Sequence, residues 1–420
     1  MFASSAPTGT TCMACTSAWI RLQPGGRWRL TTGRRREKLK YEEYTRALKM
    51  TRRTDIASYL AEQRQLAGKA SRHIKDFSVF DFHHVPDEPL VRDECRTLID
   101  ELVRFEISGI PTHQAIIGSR GSGKTLTVKY LQRIIAAHTD LDLVYANCRQ
   151  HSTTYKILAH LVGVEPRGPS LPELFTRFCH QCRRKTVVAL DEIDLMSPKD
   201  RRRDILYLLS RSEQPFMVIM LSNSPHVLKE LDAATRSSLQ PVPLHFRNYN
   251  AEQIAEILRA RARQGLHAYD EATLSEIAAL TVRLTNSDAR LAIKTLQYSM
   301  LSPGKDLRTC FEHARRDLVV DLISDLSDAT LMILWAAATS KVDFAKEIYA
   351  RYSRFSRHQQ EKPFSYGYFY SNLSYLQSVG LVALISTKQG RTYANRVQVT
   401  FDPVITSEIC SLRFDQYLNP

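Results

Sequence analysis

The chain has 420 residues, which is longer than one ordinary hydrophobic core and indicates two or three domains. Hydrophobic residues make up 43% of it, which argues against a disordered protein, and the lack of an apolar run of about 18 residues argues against a transmembrane helix. The net charge of +14 favours an anionic partner, but residues 1–54 hold 12 Lys and Arg against 3 Asp and Glu and supply +9 of it. A nucleic-acid surface on the remaining residues must therefore be a local patch.

Residues 1–54 form a basic segment that we separate from the folded part of the chain. Residues 1–45 show neither helical nor strand periodicity and contain no acidic residue before Glu37. This composition fits a transit peptide, an over-long translation start with Met50 as the true start, or a solvated basic tail. The pairs Cys12/Cys15 and Cys179/Cys182 have C-x-x-C spacing that suits zinc, but one pair lies in this segment, so we expect reduced thiols.

From about Asp76 the chain alternates apolar strand patterns with helical patterns. The strand candidates are Ala115–Ile117, Leu143–Ala146, Thr186–Leu190, Phe216–Leu221 and Val242–Phe246. Strands that alternate with helices favour a parallel α/β sheet with helices on both faces, which we assign to residues 76–249.

A glycine-rich motif follows the first of these strands. It has the P-loop form G-x-x-x-x-G-K-[ST] and consists of Gly118, Ser119, Arg120, Gly121, Ser122, Gly123, Lys124 and Thr125. A helical pattern, Thr125–Ala137, begins at its last residue. The glycines let backbone N–H groups converge on phosphate oxygens, Lys124 would neutralise the β- and γ-phosphates, and Thr125 would bind Mg²⁺. The motif predicts ATP or ADP with Mg²⁺ as the cofactors.

Acidic and amide side chains follow two later strands. An apolar strand pattern leads into Asp191 and Glu192, the Walker B pattern, in which Asp191 would hold Mg²⁺ and Glu192 would act on water as a general base. Asn223 follows the next strand and can bond the γ-phosphate or the attacking water. These three residues predict ATP hydrolysis.

The pattern becomes purely helical from Asn250, and we assign residues 250–318 to a helical lid. Asn250 and Gln253 have the spacing of a capping box, and further helices are predicted at Glu271–Val282 and Asp288–Met300. Arg290 opens the last of these at an exposed helix start. Its guanidinium could fold over the phosphates and couple nucleotide state to lid closure.

Residues 321–420 show the pattern of a winged helix, with three helices and then two strands. Ser327 caps the first helix, Asp343–Arg354 and Phe364–Val379 are the next two, and the strands are Leu381–Thr387 and Arg396–Phe401. In such a fold the third helix enters the DNA major groove and the wing contacts phosphates. Candidate DNA contacts are Ser365, Tyr366, Tyr368 and Asn372 on the third helix and Lys388, Arg391 and Arg396 on the wing.

The alternative for this domain is protein binding, with the tyrosines packed in the core and the wing charges merely solvated. Residues 321–420 hold 10 Lys and Arg against 9 Asp and Glu, so charge does not decide between the two interpretations.

Together the motifs resemble those of AAA+ ATPases. More narrowly, they resemble the archaeal origin-recognition initiators, the family shared by the largest eukaryotic origin recognition complex subunit and its licensing paralogue. The resemblance covers about Phe77 to Gln416, and the stretches that carry it are Val85–Glu94, Tyr145–Tyr155, Leu190–Asp194, Leu231–Tyr249 and Ser287–Arg290. It implies that Val85, Pro86 and Arg92 lie beside the adenine and that Tyr249 belongs to the nucleotide site.

The resemblance also implies contacts outside the nucleotide site. A helical element between the second strand and Walker B touches DNA in this family, and here Val162–Leu174 occupies that place, with Arg167 at its turn. The family usually has an arginine at the position of Ala234. Arg236 is the nearest candidate for a finger that reaches a neighbouring subunit's ATP, which leaves an obligate homo- or hetero-oligomer in doubt.

The resemblance implies an ATP-dependent DNA replication initiator that binds duplex DNA at origin repeats and supports loading of the replicative helicase as a slow ATP/ADP switch. The rivals are a regulator of transposition or plasmid maintenance with the same core, and a nucleotide-holding adaptor that uses its winged helix for protein contacts. We expect no membrane partner and a cytoplasmic, nucleoid-associated location of the archaeal type, or a nuclear one in a eukaryote.

Overall fold

A computed structural model describes residues 59, 60, 64, 68 and 73–414, except 198–199, 201–202, 225, 303, 341–342 and 390–391. The chain divides into two compact units, Met1–Gly68 and Lys69–Pro420, and the architecture below is that of the second. The predicted basic segment 1–54, with Cys12 and Cys15, lies outside the described residues. In the described ranges, no helix has both the length and the apolar character that crossing a bilayer requires.

Within the described residues, a five-stranded parallel sheet forms the centre of the first domain. Its strands are β1 (Gln114–Gly118), β2 (Leu141–Asn147), β3 (Lys185–Asp191), β4 (Phe216–Ser222) and β5 (Val242–Phe246). They lie in the order β2-β3-β4-β1-β5, and each neighbouring pair is parallel. All five predicted strands are therefore confirmed, and the carboxyl ends of β1, β3 and β4 meet at one edge of the sheet.

Helices cover both faces of this sheet, as the alternating pattern predicted. They are α1 (Asp93–Ser108), α2 (Lys124–His138), α3 (Thr154–Val162), α4 (Leu171–Gln181), α5 (Asp204–Ser210) and α6 (Ala233–Leu239). Val187 packs in the core beneath α1 and α2, whereas the next residue, Val188, packs in the core beneath α3, α4 and α5. A strand buried on both faces explains why β3 and β4 are continuous apolar runs in the sequence.

Val162–Leu174, predicted to be a helical element with Arg167 at its turn, spans the last residue of α3, a turn and the first residues of α4. α3 ends at Val162 and Gly163 follows in the left-handed region with φ 75°. Ser170 then caps α4, because its hydroxyl accepts a hydrogen bond from Glu173 N. Arg167 lies in the exposed turn between the two helices.

The helical lid begins at the predicted capping box. Its helices are α7 (Ala251–Gly265), α8 (Glu271–Leu284) and α9 (Ala289–Leu301). Asn250 Oδ1 accepts a hydrogen bond from Gln253 N at 2.8 Å, and Gln253 Oε1 accepts one from Asn250 N at 3.1 Å. The lid core also includes Phe80, from a 3-10 helix Ser78–Phe80, so these residues pack on the lid although we had assigned them to the α/β domain.

The helix α10 (Leu307–Ser324) crosses the domain boundary that the sequence predicted at 318–321. It contains neither Gly nor Pro, so nothing in its sequence ends the helix earlier. Phe311 packs beside Leu291 of the lid, whereas Ile323 belongs to the core of the C-terminal domain. One continuous helix therefore joins the lid to the C-terminal domain.

The C-terminal domain has the helices and strands predicted for a winged helix. They are α11 (Asp328–Thr339), α12 (Ala345–His358), α13 (Tyr366–Ser378) and the antiparallel pair β6 (Val382–Gln389) and β7 (Thr392–Val399). Ser327 caps α11 as predicted, with its hydroxyl accepting from Thr330 N at 3.3 Å. A last helix, α14 (Pro403–Arg413), was not predicted, although Asp402 as its cap and Pro403 at its first position are standard start signals.

Candidate functional site

A cleft of about 930 Å³ opens at the carboxyl edge of the sheet. P-loop residues 119–125 line one side of it. Asp191 and Glu192 at the end of β3, and Asn223 directly after β4, line the same cleft. The lid contributes Tyr249 and Arg290 to the lining. Residues 377–383 of the C-terminal domain line a further part of the wall, so three parts of the chain enclose one cleft.

The P-loop brings the amino end of α2 to the cleft. Gly123 caps α2 with φ 90°, and a Cβ at this position would lie 2.1 Å from Tyr249 Oη. Gly121 has φ 71°, and a Cβ there would lie 2.0 Å from Asp288 Oδ1 of the lid. The first N–H groups of a helix have no partner within it, and with the helix dipole they form an arrangement that binds phosphate.

Lys124 is buried at the start of α2, with 7% of its surface exposed. Its Nζ donates to the carbonyls of Gly118 and Ser119, both at 2.8 Å, and to Asn223 Oδ1 at 3.0 Å. Burial lowers the pKa of Lys124 to about 8. Lys124 and Asn223, which the sequence assigned to separate motifs, are thus in direct contact.

A second candidate for binding phosphate lies near Lys124. Arg120 lines the cleft, and within the described part of the chain its buried Nε has no hydrogen-bond partner. A buried donor without a partner is costly, so a ligand oxygen that accepts from it would be favourable. Arg120 therefore fits a phosphate better than it fits a protein neighbour.

Thr125 and Asp191, the predicted metal ligands, lie in contact. Thr125 Oγ1 donates to Asp191 Oδ2 at 2.7 Å, and the same oxygen accepts a hydrogen bond from Tyr145 Oη at 2.7 Å. Burial, together with Asp191, raises the pKa of Tyr145 and keeps its phenol protonated as a donor. A hydroxyl and a carboxylate beside a phosphate-binding loop are hard oxygen ligands of the kind Mg²⁺ prefers, so these residues fit that ion.

Glu192 follows Asp191 at the end of β3 with a positive φ of 52°. Burial and the nearby Asp191 raise the pKa of Glu192, while Arg120 and Arg149 oppose this shift. Asn147, at the end of the neighbouring strand β2, donates from Nδ2 to Glu192 Oε2 at 3.4 Å. A carboxylate with a raised pKa, held at the edge of a cleft, suits a general base.

Arg290 lines the cleft but is not at the exposed position that the sequence predicted. Its side chain is 35% exposed, and its Nε donates to Asp288 Oδ1 at 2.9 Å. Asp288 caps α9 and also approaches the P-loop at Gly121. The lid arginine is therefore fixed by its own helix cap directly beside the phosphate-binding loop.

Arg92 does not line the cleft and so is not placed to contact adenine, contrary to the prediction. It is 8% exposed and donates to the carbonyls of Ser122 at 3.0 Å and Arg247 at 2.7 Å. Its guanidinium also lies 4.6 Å from the centre of the Tyr249 ring. Arg92 instead holds the backbone of the P-loop at Ser122 and connects it to Arg247, just before the lid.

Of the other predicted adenine contacts, Pro86 lines the cleft and Val85 does not. The carbonyls of both accept hydrogen bonds from Arg133 of α2, which fixes the backbone beside the P-loop. Arg261 of α7 also lines the cleft and was missed by the sequence analysis. It donates to the carbonyls of Val79 and His84, and burial lowers its pKa to about 10.

Arg236 and Arg167 lie away from the cleft. Arg236 is exposed in the short helix α6, and Arg167 is exposed in the turn before α4. Neither is among the cleft-lining residues, so a role for either depends on another molecule.

The predicted DNA contacts on α13 fall into two groups. Ser365 caps the helix, and Tyr366 and Tyr368 near its start are 45% and 38% exposed. Asn372 is half-buried and is engaged within the domain, because its Oδ1 accepts from Thr330 Oγ1 and its Nδ2 donates to the carbonyl of Tyr368. Asn372 is therefore held by its own domain, and its contact with DNA stays a prediction.

On the wing, Arg396 is exposed and paired with an acidic residue. Its Nε donates to Asp343 Oδ2 at 2.9 Å, and this hydrogen bond raises the pKa of Arg396. Arg391 and the Lys388 side chain lie outside the described residues.

No role was predicted for Asn147, Arg149 or Asp288, although all three line the cleft or contact residues that line it. Asn147 ends β2 and Arg149 follows it, and the neighbour of β2 in the sheet is β3. Polar side chains at the end of a strand were the feature of the sequence that could have identified these residues. The strand order that makes them neighbours of Glu192 could not be predicted from the sequence.

Comparisons with known proteins agree with this architecture. A family model described as an AAA domain matches residues 111–231. The chain is 32% identical over 280 residues to ORC1-type DNA replication protein 1 of Sulfolobus acidocaldarius, covering 60% of this chain and 70% of that protein. It is 25% identical over 377 residues to an ORC1-type DNA replication protein of Desulfurococcus amylolyticus, covering 82% and 94%.

A solved structure shares the fold. The Aeropyrum pernix ORC1 protein, in a complex with DNA, aligns with a TM-score of 0.63 and 23% identity over 81% of this chain and 97% of that one. The similarity to the Sulfolobus acidocaldarius protein and the shared architecture confirm the resemblance seen in the sequence motifs. The chain belongs to the family of archaeal ORC1-type DNA replication proteins.

Proposed function

We propose that this protein is a DNA replication initiator that binds ATP in the cleft and duplex DNA through its winged helix. The observation that carries the nucleotide part is the convergence of the P-loop, Asp191, Glu192 and Asn223 under a lid that carries Arg290. Family membership supports the replication role over a transposition regulator or an adaptor.

Each of the polar residues in the cleft would have its own role in ATP hydrolysis. The amino end of α2, Lys124 and Arg120 would bind the phosphates, and Thr125 and Asp191 would hold Mg²⁺, which neutralises phosphate charge. Glu192 takes the proton from the attacking water, and Asn223 orients that water or the γ-phosphate. We propose slow turnover, because an ATP/ADP switch needs residence in each state more than speed.

DNA would be contacted by the exposed start of α13 and by the wing. Ser365, Tyr366 and Tyr368 present hydroxyl groups and rings at the amino end of the helix, where winged helices contact bases. We further propose that the protein acts on origin repeats at the chromosome, supports helicase loading, and uses Arg236 only when a second subunit is present.

Nucleotide titration of two lysine variants tests the proposal. Lys124→Ala should weaken binding of fluorescent mant-ATP by about 30-fold or more, because loss of a buried charged contact costs about 2–5 kcal/mol. Lys156→Ala, an exposed lysine on α3, is the matched control and should bind as wild type does. Tight binding by Lys124→Ala would remove the P-loop from the proposal.

A further inference from the structure

Arg149 lies between the candidate phosphate site and the C-terminal domain. Its Nη2 donates to Asp325 Oδ2 at 2.9 Å, and both residues line the cleft. Arg149 follows β2, and its backbone N–H donates at 2.8 Å to Asn147 Oδ1, whose amide in turn contacts Glu192. The guanidinium of Arg149 also opposes the rise in the pKa of Glu192. One arginine thus interacts with both the candidate general base and Asp325.

Asp325 is attached to the C-terminal domain because its flanking residues are bound to that domain. It ends α10, and Ile323, two residues earlier, is buried in the C-terminal core. Arg413 of α14 donates to the carbonyl of Leu326 at 2.6 Å and to the carbonyl of Ser324. A change in the Arg149–Asp325 contact would therefore alter the position of the whole winged helix.

We propose that Arg149 binds the γ-phosphate and thereby couples it to the placement of the winged helix, an inference that rests on the proposed nucleotide binding. The γ-phosphate and Asp325 compete for the same guanidinium. The ion pair is a weak one, because Arg149 is 33% and Asp325 59% exposed, and water screens such pairs. A phosphate carries more charge than a carboxylate, and it can take two parallel hydrogen bonds from a guanidinium, whereas Asp325 accepts from Nη2 of Arg149 through Oδ2. ATP therefore draws Arg149 away and loosens the domain, whereas ADP leaves the pair in place.

Thermodynamic reciprocity gives the coupling a test that a merely structural role would not pass. If ATP must break the Arg149–Asp325 pair, removing the pair must favour ATP by the same factor. Asp325→Asn should tighten mant-ATP binding by about two- to fivefold, the range of an exposed ion pair, and leave mant-ADP binding unchanged. Arg149→Ala removes the proposed contact with the γ-phosphate together with the ion pair, so it should weaken mant-ATP binding and likewise leave mant-ADP binding unchanged.

Hydrogen exchange of the full-length protein reports the domain movement. Backbone amides of residues 377–383, which line the cleft from the C-terminal domain, should exchange faster with ATP than with ADP in wild type. In Asp325→Asn they should exchange fast with both nucleotides.

The matched control is Glu408→Gln. It breaks the Arg316–Glu408 pair, in which both side chains are 50% exposed and which joins α10 to α14 without lining the cleft. This variant should keep the wild-type difference between the nucleotides. An Asp325→Asn protein that binds both nucleotides as wild type does, or shifts both equally, would overturn the coupling while leaving the proposed function intact. A wild-type protein that binds neither nucleotide would overturn both.

Discussion

Glu192 shows how neighbouring groups set the chemistry of a single residue. The apolar run of β3 identified its position in the sequence, but its raised pKa arises from burial and from Asp191 beside it. Its partner Asn147 lies 45 residues earlier in the chain, on a strand that pairs with β3. The position of Glu192 in the site could be predicted from local sequence. Its contact with Asn147 could not, because it depends on which strands are neighbours in the sheet.

The same view applies to two other residues with predicted roles. Arg92 was assigned to adenine, yet its hydrogen bonds go to the carbonyls of Ser122 and Arg247. Asn372 was assigned to DNA, yet it bonds to Thr330 and Tyr368 of its own domain. Motif position indicated where these side chains lie along the chain, but the partners Ser122, Arg247 and Thr330 come from distant segments.

Replacement of Glu192 by Gln tests its role as the general base. ATP turnover should fall by on the order of 10²-fold or more, while ATP still binds through Lys124 and Thr125. In wild type the base works only when ionised, and its pKa is raised, so turnover should decline on acidification at a higher pH than an ordinary glutamate, with a pKa of about 4.3, would give. The measurement is kcat against pH. Unchanged turnover in Glu192→Gln would remove this residue from the mechanism.

At the scale of elements, start signals with local geometry could be predicted from the sequence. The capping box of α7 and the Ser327 cap of α11 need only residues three apart, and both are present as predicted. How far α10 runs past the boundary predicted at 318–321, and where α3 ends, could not be predicted, because tertiary packing decides both.

The wing provides a prediction at this scale, based on the Arg396–Asp343 pair. Asp343→Asn should free Arg396 for a phosphate and steepen the plot of log K against log salt for duplex DNA by up to about 0.9, the contribution of one neutralised phosphate. Arg396→Ala lacks the guanidinium that would contact the phosphate, so its plot of log K against log salt should be no steeper than that of wild type. Glu347→Gln, an exposed acid on α12, is the control for a simple change in net charge. Equal slopes for Asp343→Asn and wild type in anisotropy titrations would place DNA away from this arginine.

At the scale of the whole molecule, the sheet, the lid and the C-terminal domain border one cleft. The order of these domains along the chain could be predicted from the sequence. The nucleotide-binding motifs of the sheet domain and the lid could be predicted as well. The part of the cleft wall formed by residues 377–383 could not, since no motif records which face of one domain lies against another. The continuous helix α10 supplies the physical connection between nucleotide and DNA that the proposed switch requires.

The most direct test of the account is the affinity for duplex DNA in the presence of ATP and of ADP. Fluorescence anisotropy with an origin-repeat duplex, at one fixed salt concentration, should give dissociation constants that differ by at least about fivefold between the nucleotides. Glu192→Gln, which should keep ATP intact during the titration, should show the same difference, and Lys124→Ala should show none. Identical affinities with ATP, with ADP and without nucleotide in the wild-type protein would contradict the claim that this cleft controls DNA binding.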